Sequence, residues 1–298
     1  MDKYLDTLVE DIYDVLDSSK EHTFTGEIAQ MYGTNMTEAL IGATEQRNKP
    51  REKGKLWASD LGKPCLRQHW YNFNGNDTKE QLEGHTKFKF LYGSLLEEAA
   101  LYLGEEAGHQ ISHQQERVEW KVNDTWTVSG RIDAVIDGVL VDVKSTSSYG
   151  FKRYKDGITP LNDTFGYLYQ VGFYLRKNEF DPKPTEGGFL WVDKGNGHLL
   201  AQRAVVPSEG EIEARTEAII KAVDQPEDED VPRYYAPKPY GKSGNHALDT
   251  ACSYCAHKVQ CWREANGGQG LRGFIYGHGP VWFTDVVREP KVVEINDE

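Results

Sequence analysis

Cysteine and methionine are scarce in this chain of 298 residues, with four of one and three of the other. At this length the chain can bury a core in one large domain or in two small ones. No run comes near the roughly 18 apolar residues of a membrane span, and the mean hydropathy is −0.65. No membrane is therefore expected. Positive charge is also short: 34 Lys and Arg stand against 47 Asp and Glu, a net charge of −13. That balance argues against a broad electrostatic grip on nucleic acid and leaves room only for local basic patches and bound cations. The opening residues, Met1-Asp2-Lys3-Tyr4-Leu5-Asp6, lack the basic and then apolar regions of a secretory signal. The expected compartment is a reducing cytoplasm, where cysteines serve as thiols or metal ligands. Internal repeats and long low-complexity tracts are missing too. Aromatic residues are plentiful, with 16 Tyr, 11 Phe and 7 Trp, which points to a globular protein.

Periodicity predicts the elements. Leu5, Leu8, Val9, Ile12 and Leu16 recur at helical spacing, and two shorter helices are expected near Gly26–Tyr32 and Thr37–Glu45. A basic segment follows: Arg47, Lys49, Arg51, Lys53 and Lys55, running on to Lys63 and Arg67. It is the best candidate for phosphate contact, although such runs are usually solvated loops. A helix is expected to begin at Cys65 and another to span Phe88–Leu103, carrying Glu97 and Glu98. Strands are predicted at Glu116–Val122, Thr125–Ile136 and Val139–Thr146, a helix at Phe165–Lys177, and an antiparallel pair at Phe189–Val192 and Leu199–Val206. Ser208 and Glu211 form a capping box for a helix running to Val223. Asp224–Asp230 reads as an acidic connector, and Val281–Val287 and Lys291–Ile295 read as strands of a tail.

The chemistry concentrates between Gly130 and Ser145. Asp137-Gly138 lies between two β-branched, apolar runs, the strongest short-range signal for a two-residue hairpin turn. Ile136 then faces Val139, and counting outward sets Asp133 opposite Asp142. Two carboxylates opposed across a hairpin repel each other. A divalent cation between them removes the repulsion, and Mg²⁺ is typically held by one or two carboxylates together with water and phosphate oxygens. Lys144 follows Asp142 by two residues, points into the same site, and can stabilise charge on an attacking or leaving oxygen. The bland alternative is a solvated hairpin face with an accidental Asp–Asp–Lys cluster.

Helix, antiparallel strands with an acidic pair, then a crossover helix is an order that resembles the PD-(D/E)XK nuclease superfamily. Asp142-Val143-Lys144 has the form of its (D/E)-x-K element and Asp133 stands at its preceding Asp, with Ile132 in place of the eponymous Pro. Gly93-Ser94-Leu95-Leu96-Glu97 looks like the helical Gly-x-x-x-(His/Glu) motif of the RecB-like branch. Gln170-Val171-Gly172-Phe173-Tyr174 looks like that branch's Gln-x-x-x-Tyr motif. The resemblance implies an α/β fold with a restriction-endonuclease-like core, a mixed central β-sheet flanked by helices. Around it are expected an N-terminal helical region over 1–85 and, after a core over 86–223, a connector, cysteine-rich segment and β-rich tail over 224–298. It implies a metal-dependent deoxyribonuclease, with exonuclease action in recombination, repair or phage DNA processing. Glu97, Asp133 and Asp142 would hold Mg²⁺ or Mn²⁺, with the Val143 carbonyl as an extra ligand. Lys144 would position or activate water, and Gln170 and Tyr174 would position DNA. Glu98 replaces Glu97 if the helix phase is off by one. DNA is the implied partner, with a recombination or single-strand-binding protein as a second. A catalytically weak DNA-binding module of a repair or CRISPR-type complex is the alternative.

The cysteines are Cys65, Cys252, Cys255 and Cys261, one far upstream and a C-x₂-C-x₅-C group after the core. Four thiolates suit a [4Fe–4S] cluster or tetrahedral Zn²⁺, and buried unrelated thiols are the third reading. The pattern resembles the iron–sulfur subset of RecB-like nucleases, which includes the CRISPR-adaptation exonuclease, the AddB nuclease domain and phage enzymes working in the host cytoplasm. That resemblance favours iron.

Overall fold

The computed structural model describes residues 3–17, 19–45, 52–75, 84–277 and 279–295. In chain order the helices are α1 (Leu8–Leu16), α2 (Gly26–Glu45), α3 (Leu66–Asn74), α4 (Gly84–Glu106), α5 (Ser148–Tyr154), α6 (Tyr167–Lys177), α7 (Glu209–Val223), α8 (Thr250–Ser253) and α9 (Lys258–Cys261). The strands are β1 (Lys55–Trp57), β2 (Ile111–Ser112), β3 (Arg117–Lys121), β4 (Thr127–Arg131), β5 (Ala134–Ile136), β6 (Val139–Thr146), β7 (Glu186–Asp193), β8 (Leu199–Ala204), β9 (Lys238–Pro239), β10 (His246–Ala247), β11 (Arg272–Tyr276), β12 (Gly279–Asp285) and β13 (Glu294–Ile295). The fold is mixed α/β. The chain divides into two compact units, one of Met1–Lys49, Gly54–Lys63 and Leu82–Thr216, the other of Pro50–Lys53, Pro64–Gln81 and Glu217–Glu298. This differs from the linear three-part division expected above. α1 and α2 pack into the core of the first unit, and the Cys65 segment belongs with the C-terminal residues in the second.

In the first unit a five-stranded sheet runs β2-β5-β6-β7-β8. β6 and β7 pair in parallel and the other neighbours antiparallel, so the sheet is mixed. Leu8 and Ile12 of α1, Tyr32 of α2 and Leu101 of α4 pack on one face of the sheet, against Val139, Val141, Val143 and Leu190. On the other face, Tyr154 stacks on Trp191 at 4.3 Å between ring centroids, and Tyr167 lies 5.9 Å from the same ring. Covered on both sides, β6 is buried over its first five residues, as expected for a strand flanked by helices.

The predicted hairpin is formed. Asp137 and Gly138 both hold positive φ, 49° and 81°, as a I′ turn requires, and Ile136 pairs with Val139 and Ala134 with Val141. The single long strand expected over 125–136 is instead two. Ile132 N donates to Glu116 O, and the Asp133 side chain accepts from Val143 N at 2.6 Å. The chain thereby leaves the β1-β4-β3 sheet and enters the five-stranded one at Asp133. The two short helices expected over 26–45 are one, α2. Thr34 and Thr37 bond their hydroxyls back to the carbonyls of Gln30 and Gly33, and Tyr32 and Asn35 hold the middle turn to Glu105 and Glu98 of α4. The Ser208–Glu211 capping box is present, with Ser208 N donating to Glu211 Oε2 at 2.8 Å and Glu211 N to Ser208 Oγ at 3.4 Å.

In the second unit the tail builds its own sheet, in the order β13-β11-β12-β10-β9, around Phe274 and Phe283. The acidic stretch after α7 is an anchor and not a loose connector. Asp228 is buried and takes hydrogen bonds from Tyr71 and Arg263, with Arg67 at 3.7 Å. No helix among the described residues is long and apolar enough to cross a membrane.

Candidate functional site

Three elements of the first unit bring the carboxylates together. The hairpin sets Asp133 at the entrance to β5 and Asp142 in the middle of β6, and α4 presents Glu97 to both. Three carboxyl groups thus crowd around one ammonium, that of Lys144. The electrostatics follow from this crowding. Burial, and then Asp133, push the Glu97 carboxyl far up. Burial, and then Asp142, bring Asp133 to about 7. Asp142 is raised by burial even though Lys144 opposes the rise. Burial works against the Lys144 charge, but Asp142 and Asp133 outweigh it and raise its pKa, so Lys144 remains an ammonium. Its Nζ lies 2.6 Å from Asp142 Oδ2 and 5.4 Å from the centre of the Tyr167 ring.

The donor set suits a divalent cation on two counts. Once ionised, three carboxylates against one ammonium leave a charge that matches such a cation, and Asp142 Oδ1 is fully buried with no hydrogen-bond partner among the described residues. A buried acceptor left in that state is costly. Three other oxygens are already engaged, Asp142 Oδ2 by Lys144, Asp133 Oδ2 by Val143 N and Glu97 Oε1 by Gln115 Nε2. Among the described residues no group of three or more His, Cys, Asp and Glu side chains is drawn together tightly enough to hold a metal ion as it stands. Val143, expected to offer its carbonyl, is engaged through its N–H. Glu98, the alternative to Glu97, is buried and accepts from Asn35 Nδ2 at 3.2 Å. Glu97 is the one of the two whose carboxyl, beyond the effect of burial, both Asp133 and Asp142 push up.

Gln170 and Tyr174 lie one turn apart on α6, with Gln170 Nε2 3.5 Å from the Tyr174 hydroxyl. Tyr174 is buried beneath Gly130. A Cβ at position 130 would stand 2.5 Å from the Tyr174 hydroxyl and 2.8 Å from Ala58 Cβ, so only glycine fits there. The α6 terminus is fixed by Asp163, whose carboxylate accepts from the main-chain N–H of Gly166, Tyr167 and Leu168. Two site residues were not legible in the sequence. Tyr167 underlies Lys144, and Gln115 donates from Nε2 to Glu97 Oε1 at 2.8 Å. Neither belongs to a recognisable spacing, and the chain's long-range folding alone brings them in.

Of the expected basic run, Lys55, Lys63 and Arg67 have partners within the protein. Arg47, Lys49 and Arg51 lie outside the described residues. Lys55 sits on the Trp57 ring, Lys63 pairs with buried Asp60 at 3.0 Å, and Arg67 donates to Val231 O.

In the second unit Cys65, Cys252, Cys255 and Cys261 line one cavity of about 20 Å³, with Tyr71, Arg233 and Trp262 in its walls. Cys65 is the cap of α3, Cys252 lies in α8, and Cys261 ends α9. All four are free of disulfides and half-buried. Burial, and then the neighbouring Cys65, Cys255 and Cys261, push the Cys252 thiol up to about 12. Burial pushes Cys255 to about 11, with Cys65 and Cys261 adding to the rise. Sulfurs that oppose one another's ionisation in this way form a soft donor set that a bound cation would reverse.

No family model matches the chain, and no curated protein matches it. A solved structure titled "Crystal structure of SSO0001" is similar at 15% identity and a TM-score of 0.47, with 80% of this chain and 98% of that chain covered.

Proposed function

We propose that this chain is a metal-dependent DNA nuclease of the PD-(D/E)XK type, acting as an exonuclease in recombination, repair or phage DNA processing. The observation that carries the reading is the Asp133–Asp142 pair about the I′ hairpin, with Glu97 facing it and Lys144 between. Glu97, Asp133 and Asp142 would hold Mg²⁺ or Mn²⁺. When bound, that cation lowers the pKa of water and stabilises charge developing on phosphate. In the hydrolysis a water oxygen bonds to phosphorus and gives up a proton to solvent, while the bond to one bridging oxygen breaks and that oxygen takes up a proton. Lys144 would position or help activate the water, and its charge can stabilise an attacking or leaving oxygen. Asp142 fixes the Lys144 ammonium on one side and the Tyr167 ring supports it on the other. The raised carboxyls of Glu97 and Asp133 must give up protons as the cation enters, so binding strengthens with pH. Gln170 and Tyr174 hold the helix face next to the site. Their role is to position DNA or water.

The four cysteines are proposed to carry a [4Fe–4S] cluster, with Zn²⁺ as the alternative, in a structural role within the second unit. Their common cavity and mutually opposed ionisation support a metal, and only the resemblance to iron–sulfur RecB-like nucleases favours iron.

A second reading, a catalytically weak DNA-binding module, is favoured by the Lys144–Asp142 ion pair, which already engages one of the two Asp142 oxygens. Linear DNA labelled at one end and blocked at the other separates the two. The nuclease reading expects Mn²⁺-dependent release of nucleotides from a free end. Binding without release, at every Mn²⁺ concentration, supports the module instead.

A further inference from the structure

The loop between β2 and β3 is strained where it passes the carboxylates. His113 and Gln115 hold φ of 53° and 54°, a left-handed conformation that few residues other than Gly, Asn and Asp adopt readily. Such strain persists only where the surroundings impose it, and it gathers at functional sites. Here three consecutive residues are each anchored. The His113 ring stacks on Phe180 with centroids 4.3 Å apart. Gln114 Nε2 donates to the Tyr32 hydroxyl at 2.6 Å. Gln115 N donates to Asp133 O at 3.3 Å, and its Nε2 donates to Glu97 Oε1 at 2.8 Å. One residue thereby ties two of the three candidate ligands together, one through the main chain and the other through the side chain.

We propose that Gln115 is a positioning residue for the cation site, holding one Glu97 oxygen so that the other is free to face the ion. This rests on the proposed reading of Glu97, Asp133 and Asp142 as that site. The amide suits the task because it orients a carboxylate without neutralising it. A lysine or arginine at the same place would cancel charge that the cation needs. The strained backbone is what brings a side chain of this length onto Glu97 while its own N–H stays on Asp133. Asn tolerates the same φ but is one methylene too short to span the distance.

The test uses the full chain without DNA and reads Mn²⁺ binding by electron paramagnetic resonance. Wild type is compared with Gln115→Asn, Gln115→Gly and Asp142→Ala. Both Gln115 variants accept positive φ, so both are expected to fold. Each should nonetheless bind Mn²⁺ about tenfold or more weakly, the range seen when a residue behind a ligand is lost. In DNA cleavage the Mn²⁺ concentration for half activity should rise by the same factor while KM for DNA stays put, a split that a general loss of structure does not produce. Mn²⁺ affinity within twofold of wild type in both variants overturns the proposal. So does a wild-type protein with no Mn²⁺ site that Asp142→Ala removes. A Gln115-dependent Mn²⁺ site in a protein that leaves DNA uncut overturns the nuclease reading and leaves this proposal standing.

Discussion

Asp133 is under two opposed demands in the cation-free protein. Its Oδ2 accepts from Val143 N at 2.6 Å, which helps hold the hairpin. Its charge lies against Asp142, and burial together with that neighbour brings its pKa to about 7, above the ordinary 3.8. The folded form therefore binds this proton more tightly than the unfolded chain. Stability from this group is fully present below about pH 4 and is lost as pH rises toward 7. At ~1.4 kcal/mol per pKa unit the whole shift would be ~4 kcal/mol, an upper value because Asp142 and Glu97 share the same crowding. Asp133→Asn keeps an oxygen for Val143 and removes the charge. It should be more stable than wild type by ~1–3 kcal/mol at pH 8, an advantage that shrinks at pH 5. Asp133→Ala removes the acceptor as well, and the stranded Val143 N–H costs ~1–3 kcal/mol. Alanine should therefore trail asparagine by that amount at both pH values. The assay is urea unfolding in cation-depleted buffer, repeated with Mn²⁺, where wild type should gain stability and both variants should not. An asparagine variant less stable than wild type at pH 8 without cation refutes the crowding argument. Asn and Ala variants of equal stability refute the Val143 argument.

Gln170→Ala and Tyr174→Ala should each lower DNA cleavage without abolishing it, and steady-state kinetics that match wild type would reduce this pair to helix packing. Protein purified without oxygen should be brown, absorb broadly near ~400 nm and hold about four irons per chain. Replacing Cys252, Cys255 or Cys261 by Ser should first lower solubility and unfolding midpoint, and activity as a consequence; colourless protein with one zinc would exchange the metal. Burial works against the charge of Asp228, but Arg263 and Tyr71 hold its carboxyl well below the usual range. Its contribution is present above about pH 4 and lost as pH falls further. Asp228→Asn should cost the second unit ~1.5–3 kcal/mol at pH 7, and the difference from wild type should narrow in acid.

The hairpin was legible because its information is local: Asp-Gly fixes the turn, and pairing outward from it fixes the faces. Glu97 was legible for a similar reason, since its spacing from Gly93 separates it from Glu98. What escaped was set by partners far along the chain. The break at Ile132–Asp133 depends on Glu116 and Val143. The continuity of α2 through Gly33 and Asn35 depends on contacts with α4. Asp228 read as one of many acidic connector residues because nothing near it in sequence announces Arg67, Tyr71 or Arg263. Lys63 and Arg67 read as phosphate contacts because their partners, Asp60 and Val231, give no compositional sign of drawing them inward. Gln115 had no signal at all.

The central claim is that the Asp133–Asp142 pair cuts DNA with a divalent cation. It is tested most directly by nucleotide release from linear DNA at rising Mn²⁺, comparing wild type with Asp142→Ala. Release should be absent without cation, saturate with Mn²⁺ and fall at least about a thousandfold in the variant, as for loss of a group that stabilises the transition state. Undiminished Mn²⁺-dependent release from Asp142→Ala would contradict it.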